Sequence, residues 1–463
     1  MSLADIRAGT LLCVFAGYVM LNYAFMQLRV IIPLGDIGLI VCLATINIPV
    51  VLKKMSGSIS LTPFLIWWCF GLGRAIVDGA EYGIWALRDA AQVIESLWLI
   101  VAFAVAQKAY DIDKLFQWLK WLFIAYCVYA LGAPFSDDIA AISPSIPQAA
   151  SGELVPVVGT YANLSLMLLW IAFYLTITER KSQRVRIAAI AIACLMVGAV
   201  VVVLQSRTNY LQLAVLTCIV GLFRPKSFGR FGIVMPIMFI VVGTITAFDI
   251  KIPGRLTENI SFSFYVQHLE AIVGISQGDD RGIAAAASGV PLRLDWWTNI
   301  LEQEAADPVT LITGLGYGRP LTNYIASNDL GPGGLAVREP HNSFLSVLGR
   351  LGVVGAISWI WLHLLLFRLW HKVFDYYYRL KDEAWINRLL LMLAFVALIL
   401  VSVVGEDVLE KPFNIVPYYC FWGIILRLGV NIAMERQPVL AEGGHYTAPR
   451  SSSAFGAHHA REP

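Results

Sequence analysis

Residues 389–404 read LLLMLAFVALILVSVV, an uncharged run between Arg388 and the acidic pair Glu406 and Asp407. It is too long for an ordinary strand and approaches the roughly 20 apolar residues that a helix needs to cross a hydrocarbon core. Comparable runs recur along the chain and are continuous rather than alternating, which predicts spanning helices and not a barrel. The expected fold is an all-α polytopic membrane protein with about twelve transmembrane helices. They lie near residues 8–27, 31–52, 60–77, 91–107, 115–132, 157–178, 186–204, 208–223, 231–248, 342–367, 387–404 and 413–432. The third and fourth are the weakest spans. Between them, Arg74, Asp78, Glu81, Arg88 and Asp89 belong either to a loop or to a re-entrant piece.

Composition agrees. Of 463 residues, 58% are hydrophobic and 14% charged, with mean hydropathy +0.69. A soluble domain carries about a quarter charged residues, so an ordinary cytosolic enzyme is excluded. The net charge of +2 gives no case for a nucleic-acid partner. Cys13, Cys42, Cys69, Cys127, Cys194, Cys218 and Cys420 all fall inside apolar runs and read as small hydrophobes, not as a disulfide framework or metal cluster. The first run begins near Ala8 without a small-residue cleavage site, so it is expected as an uncleaved span.

Basic residues set the orientation. Lys53 and Lys54, the Arg180–Arg186 cluster, Arg224, Lys226 and Arg230, and the group from Arg368 to Arg388 fall on one side. The segment 133–156 holds acids but no Lys or Arg. Both termini are therefore expected in the cytoplasm. Residues 1–248 would carry spans one to nine. Residues 249–341 would form one large, partly helical outer loop, longer than an ordinary connection. Residues 342–434 would carry the last three spans, and 435–463 a polar, disordered cytoplasmic tail. Within the loop, helical spacing marks 262–273 and 293–304, the second with Trp296 and Trp297. Gly314-Leu315-Gly316-Tyr317-Gly318 reads as a flexible turn.

Several residues carry chemical promise. Arg207 stands at the outer junction of two spans, where a charge either snorkels to lipid phosphates or binds an anionic substrate. His341 begins a span that Asn342 or Ser343 can cap. That places the imidazole at the positive end of a helix dipole, a position favouring its neutral, proton-accepting form. Arg338, three residues earlier, adds to the attraction for phosphate. Arg293 and Arg281 present planar donors suited to phosphate oxygens, with surface ion pairs as the plainer reading, favoured for Arg281. Arg319 follows the glycine turn without an assigned role. Glu406, Asp407 and Glu410 read as a solvated turn, with pairing to loop arginines as the other reading. Asp111-Ile112-Asp113 matches the short acidic pattern of metal-dependent nucleotide-sugar transferases, but Lys108 and Lys114 make it a plain charged loop. No HExxH, CxxC or Walker pattern occurs, so neither zinc nor ATP use is indicated, and no cofactor or metal is expected.

In order along the chain, Ser206-Arg207, Arg293 with Trp296-Trp297, Gly314 to Gly318, His341-Asn342-Ser343-Phe344-Leu345, and Gly349-Arg350-Leu351-Gly352-Val353-Val354-Gly355 resemble the O-antigen ligase and O-antigen polymerase superfamily of bacterial envelope glycosyltransferases. The resemblance covers about residues 200–360 by motif. It implies a glycan carried on undecaprenyl diphosphate as donor, and lipid A–core or another lipid-linked glycan as acceptor. It also implies the bacterial inner membrane as location, with the site facing the periplasm. Related oligosaccharyltransferases use protein hydroxyls. By motif it assigns roles to Arg207, Arg293 and His341; Arg338, as a further diphosphate ligand, and Asn342, as support, follow from position. The expected reaction is inverting and metal-independent: the arginines steady the departing diphosphate while His341 takes the acceptor proton or positions the acceptor. Ligation is expected ahead of repeat-unit polymerisation. A polyprenyl-linked glycan or solute transporter is the reading of another class, and would favour inverted repeats and helices broken at mid-membrane; neither is evident.

Overall fold

Two helices form the centre of the bundle. Pro412–Arg436 and Glu383–Val403 bury most of their surface inside the protein, and the other helices are laid around them. The computed structural model describes residues 2–29, 32–107, 109–147, 154–180, 182–204, 206–232, 244, 281–322 and 338–436. The expected span 231–248 except for its first residues and residue 244, the helical segment 262–273 and the tail beyond 436 lie outside the described residues, as does the side chain of Arg281.

The architecture is that of an all-α membrane protein. Among the described residues, Leu3–Gln27, Gln183–Val201, Ser343–Arg379, Glu383–Val403 and Pro412–Glu435 are long and apolar enough to cross a membrane. Two bent pairs raise that number to as many as seven: Leu34–Ala44 with Ile48–Met55, at 85°, and Asp111–Ala130 with Ala133–Ile142, at 45°. Ala91–Val105, Leu164–Ile177 and Thr208–Phe223 are apolar but shorter. The Thr62–Tyr82 helix carries the Arg74–Asp78 ion pair (2.8 Å) at i,i+4. It ends at Gly83, whose φ of +59° reverses the chain into the short helices Ile84–Asp89 and Ala91–Glu95. The acids and arginines between spans three and four thus belong to helices, partly buried, rather than to a plain loop.

Packing follows the rules for helices without a water-driven apolar force: small residues allow close approach and polar side chains bond across helices. At Gly423, an added Cβ would overlap the Leu99 carbonyl, so the Trp98–Val105 helix can lie directly on Pro412–Arg436. Trp170 donates to the Leu391 carbonyl at 2.8 Å. Gln212 donates to the Leu398 carbonyl at 3.1 Å and to Ser402 Oγ at 2.8 Å. A two-stranded antiparallel ribbon, Ser145–Pro147 with Leu154–Pro156, is the sheet among the described residues.

The Ser343–Arg379 helix is kinked at Gly352 (φ +61°, ψ −161°). A break of that kind frees helix carbonyls. Here the Gly349 and Arg350 carbonyls accept from Leu315 N–H (2.8 Å) and Gly316 N–H (3.1 Å). Gly314 sits against the backbone of Arg350 and Gly352, a contact that any Cβ would block. The segment expected as a flexible turn is therefore a strap bonded into the kink, and its glycines permit backbone-to-backbone contact at positive φ.

Candidate active site

Asn342 ends an irregular segment and starts the long helix. Its Oδ1 accepts from Phe344 N–H (3.0 Å) and Leu345 N–H (3.2 Å), an N-cap that satisfies otherwise orphaned donors. The preceding residue, His341, has φ +50°, an uncommon conformation for a side chain with a Cβ. Both neighbours hold it there: Asn342 through the cap, and Pro340 through its carbonyl, which accepts from Trp297 Nε1 at 2.8 Å. Trp296, buried beside it, places its ring 5.9 Å from the imidazole. The tryptophans anticipated at the membrane boundary thus shape the histidine's surroundings.

The turn between Glu383–Val403 and Pro412–Arg436 faces His341. Asp407 Oδ1 lies 3.4 Å from His341 Nδ1 and 2.9 Å from Lys411 Nζ. Burial works against ionisation of Asp407, but the His341 hydrogen bond and the Lys411 ammonium outweigh it and hold the carboxyl well below its usual range. Lys411 shows the converse: burial opposes its charge, and Asp407 more than compensates. Ser343 Oγ donates to Glu410 Oε2 at 2.7 Å and accepts from Leu409 N–H at 3.2 Å. Burial, reinforced by the nearby charges of Glu339 and Asp407, pushes the Glu410 carboxyl up to about 8. The expected solvated turn is instead an embedded acidic turn bonded to the start of the long helix.

One of the expected arginines approaches the same turn, and so does the helix that another begins. Arg293, on the Arg281–Ala305 helix, has Nη1 4.0 Å from where a Cβ on Gly405 would stand, and its side chain makes no hydrogen bond or ion pair with a described residue. Arg207 is the first residue of the Arg207–Phe223 helix. Its side chain lies outside what is described, but its neighbour Thr208 donates to Glu406 Oε1 at 3.5 Å. Gly405, Glu406 and Asp407 thus meet, in succession, Arg293, the N-terminal turn of the Arg207 helix, and His341.

Arg338 points elsewhere. Its guanidinium donates to Asp89 Oδ2 (3.0 Å) and the Gly318 carbonyl (2.7 Å), and it lies 4.1 Å over the Trp85 ring. Arg350, quoted only as part of a motif, proves central to the fold. It pairs with Asp89 (2.9 Å) and Glu339 (3.0 Å) and donates to the Gly316 and Arg319 carbonyls. Asp89 also accepts from Gly318 N–H, and Asp78 accepts from Tyr317 N–H. Charges from distant stretches of sequence thereby hold the strap under the site. No spacing rule links residues 78 and 89 to 317, 318 and 350. Far from here, Asp113 pairs with Arg388, and the stretch expected as a charged loop is instead the start of the Ala109–Ala130 helix.

No curated protein matches the chain. Residues 191–360, which contain Arg207, Arg293, the glycine strap, His341 and the kinked start of the long helix, match the family model described as O-antigen ligase.

Proposed function

We propose that the protein is an inverting glycosyltransferase that moves a glycan from undecaprenyl diphosphate to an acceptor hydroxyl, with the His341–Asp407 pair as its proton-handling centre. The observation that carries this reading is the convergence of His341, Arg293 and the Arg207 helix on the Gly405–Asp407 turn, in a chain whose residues 191–360 match the O-antigen ligase family model.

The chemistry follows from the tautomer that an ionised partner selects. Asp407 accepts from Nδ1–H of neutral His341, which leaves the Nε2 lone pair to receive the acceptor's proton. As that proton arrives, the carboxylate steadies the imidazolium. The acceptor oxygen attacks the anomeric carbon from the side opposite the diphosphate, so the carbon inverts. The bond to the diphosphate oxygen breaks, and negative charge grows there. Arg293, uncommitted among the described residues, supplies planar donors for that charge, and Arg207 joins it.

Sidedness completes the proposal. The positive-inside pattern favours twelve spans, cytoplasmic termini, residues 249–341 as a periplasmic cap, and location in the bacterial inner membrane. No nucleotide sugar is at hand on the periplasmic side, which favours a lipid-carried donor. The acceptor we favour is lipid A–core, making the protein an O-antigen ligase; the superfamily's polymerases differ in using a second lipid-linked repeat. The test is transfer by the purified full chain from a polyprenyl-diphosphate-linked glycan. The wild type should form product and His341→Ala should not. A His341→Ala variant working at the normal rate overturns the base role. In cells, deletion that leaves polymer on its carrier and bare lipid A–core supports ligation, whereas core carrying single repeats points to polymerisation.

A further inference from the structure

The geometry points to a second ligand surface, beside the reaction centre, that recognises an anionic sugar of the acceptor. It rests on the transferase reading and names the acceptor's chemical class. Its middle is Trp85, half-buried on the short helix Ile84–Asp89. Arg338 lies over the indole at 4.1 Å, and the exposed Arg88 lies over the ring at 5.3 Å. Beside them, the Gly318 amide donates to Asp89, which brings Arg319 next to this helix with its side chain exposed. Tyr82 packs on Gly318 and extends the aromatic surface.

The arginines divide into two kinds. Arg338 is committed, through Asp89 and the Gly318 carbonyl, to holding the surface together. Arg88 and Arg319 are exposed, and neither side chain makes a hydrogen bond or ion pair with a described residue. Glu81 is also exposed nearby, so the surface is not a uniform basic field. It offers two discrete guanidinium forks beside an aromatic face. That combination suits a pyranose ring laid on an indole with a phosphate or carboxylate held by arginine.

Position assigns the surface to the acceptor. Arg338 is three residues before His341 in the chain, at most about 10 Å along an extended backbone. Arg293 and the Arg207 helix reach the Gly405–Asp407 turn, on the diphosphate side of the proposed reaction. The surface around Trp85 is built on different elements, Ile84–Asp89 and the glycine strap, from those that reach that turn. The anion has two possible sources, a phosphorylated core sugar or a uronate, and both present the same chemistry to Arg88 and Arg319.

The test is direct binding to the full-length protein in nanodiscs, with three oligosaccharides of equal length: phosphorylated, uronate-bearing and neutral. The wild type should bind at least one anionic probe about tenfold more tightly than the neutral one, and added salt should weaken that preference. The probe that binds better identifies the source. Arg88→Gln with Arg319→Gln should remove the preference while leaving neutral binding within about twofold; Trp85→Ala should weaken all three. Equal binding of the three probes by the wild type, or a preference that survives the double substitution, overturns the inference. Because binding is read without turnover, a preference found in a protein that transfers no glycan sustains this surface and removes the transferase reading.

Discussion

His341 Nδ1 stands 3.4 Å from Asp407 Oδ1, although the two residues are separated by the whole Ser343–Arg379 and Glu383–Val403 hairpin. Lys411 Nζ lies 2.9 Å from the same carboxylate oxygen. Such a pair fixes both the ring's orientation and the nitrogen that carries its proton.

Asp407→Asn should therefore lower the transfer rate about a hundredfold, within the range for a disabled general base, because an amide can present its N–H to the ring and favour the wrong tautomer. Steady-state kinetics on folded, purified variant would show this mainly in kcat. Wild-type rates for Asp407→Asn would separate the pair from the reaction.

Arg293→Ala should cost on the order of 3 kcal/mol of transition-state stabilisation, or about a hundredfold in rate. Arg293→Lys should recover only part of it, since an ammonium lacks the planar fork. Comparing a diphosphate-linked donor with one bearing a poorer leaving group would locate the loss: the deficit should be larger where more charge develops. Beside Gly405, the Arg293 side chain makes no hydrogen bond or ion pair with a described residue, so its loss should leave thermal stability nearly unchanged.

Much of this was legible beforehand, for identifiable reasons. Apolar runs report helices because lipid leaves the backbone no other partner, and Asn342 reads as a cap because its side chain fits that task anywhere. His341, Arg207 and Arg293 stand out as polar groups at the edge of apolar segments. The turn holding Asp407 and Glu410 was hidden: three acids in a short hairpin look the same whether water or a histidine faces them. The flexible reading of Gly314–Gly318 failed similarly. Glycine signals permission for unusual backbone angles, and only the kink at Gly352, with its freed carbonyls, reveals that the permission is used for a rigid contact. Arg338 was drawn to the phosphates by its nearness to His341 in sequence, whereas Asp89 and Trp85, remote in sequence, claim its guanidinium.

Gly314→Ala should be the most damaging single-methyl change at the strap. The residue has φ +76°, and its Cβ would collide with the backbone of Arg350 and Gly352, which cannot swing aside. A loss of about 2–3 kcal/mol is expected from strain and displaced packing, seen as a lower melting temperature in detergent. Gly73→Ala, where an added Cβ meets nothing, is the matched control and should be neutral or slightly stabilising.

Asn342→Ala should cost about 1 kcal/mol by leaving the Phe344 and Leu345 N–H groups without their acceptor. Asn342→Asp and Asn342→Ser keep a capping oxygen and should restore most of that stability. If the cap also holds His341 at its positive φ, activity should fall further than stability in the alanine variant and return with the capping variants. A parallel loss and recovery of both would assign Asn342 a structural part alone.

Glu410 gives the pH dependence a definite sign. Its carboxyl is raised from 4.5 to about 8 by burial and neighbouring acids, so the folded protein retains a proton that the unfolded chain releases. The stabilising contribution is complete below about pH 4.5 and is lost as pH rises through about 8. Asp407 acts oppositely: its lowered value stabilises the fold above the ordinary carboxylate range, a contribution lost as acid protonates it. Melting temperature measured from pH 5.5 to 9 separates Glu410 from Asp407, which stays ionised throughout. Wild type should lose stability across that window, and Glu410→Gln, which keeps a neutral group beside Ser343, should flatten the decline. An unchanged slope in the glutamine variant would mean that another buried acid carries it. Glu304, raised to about 7 by burial, is the group to substitute next, and its decline should end about one pH unit lower.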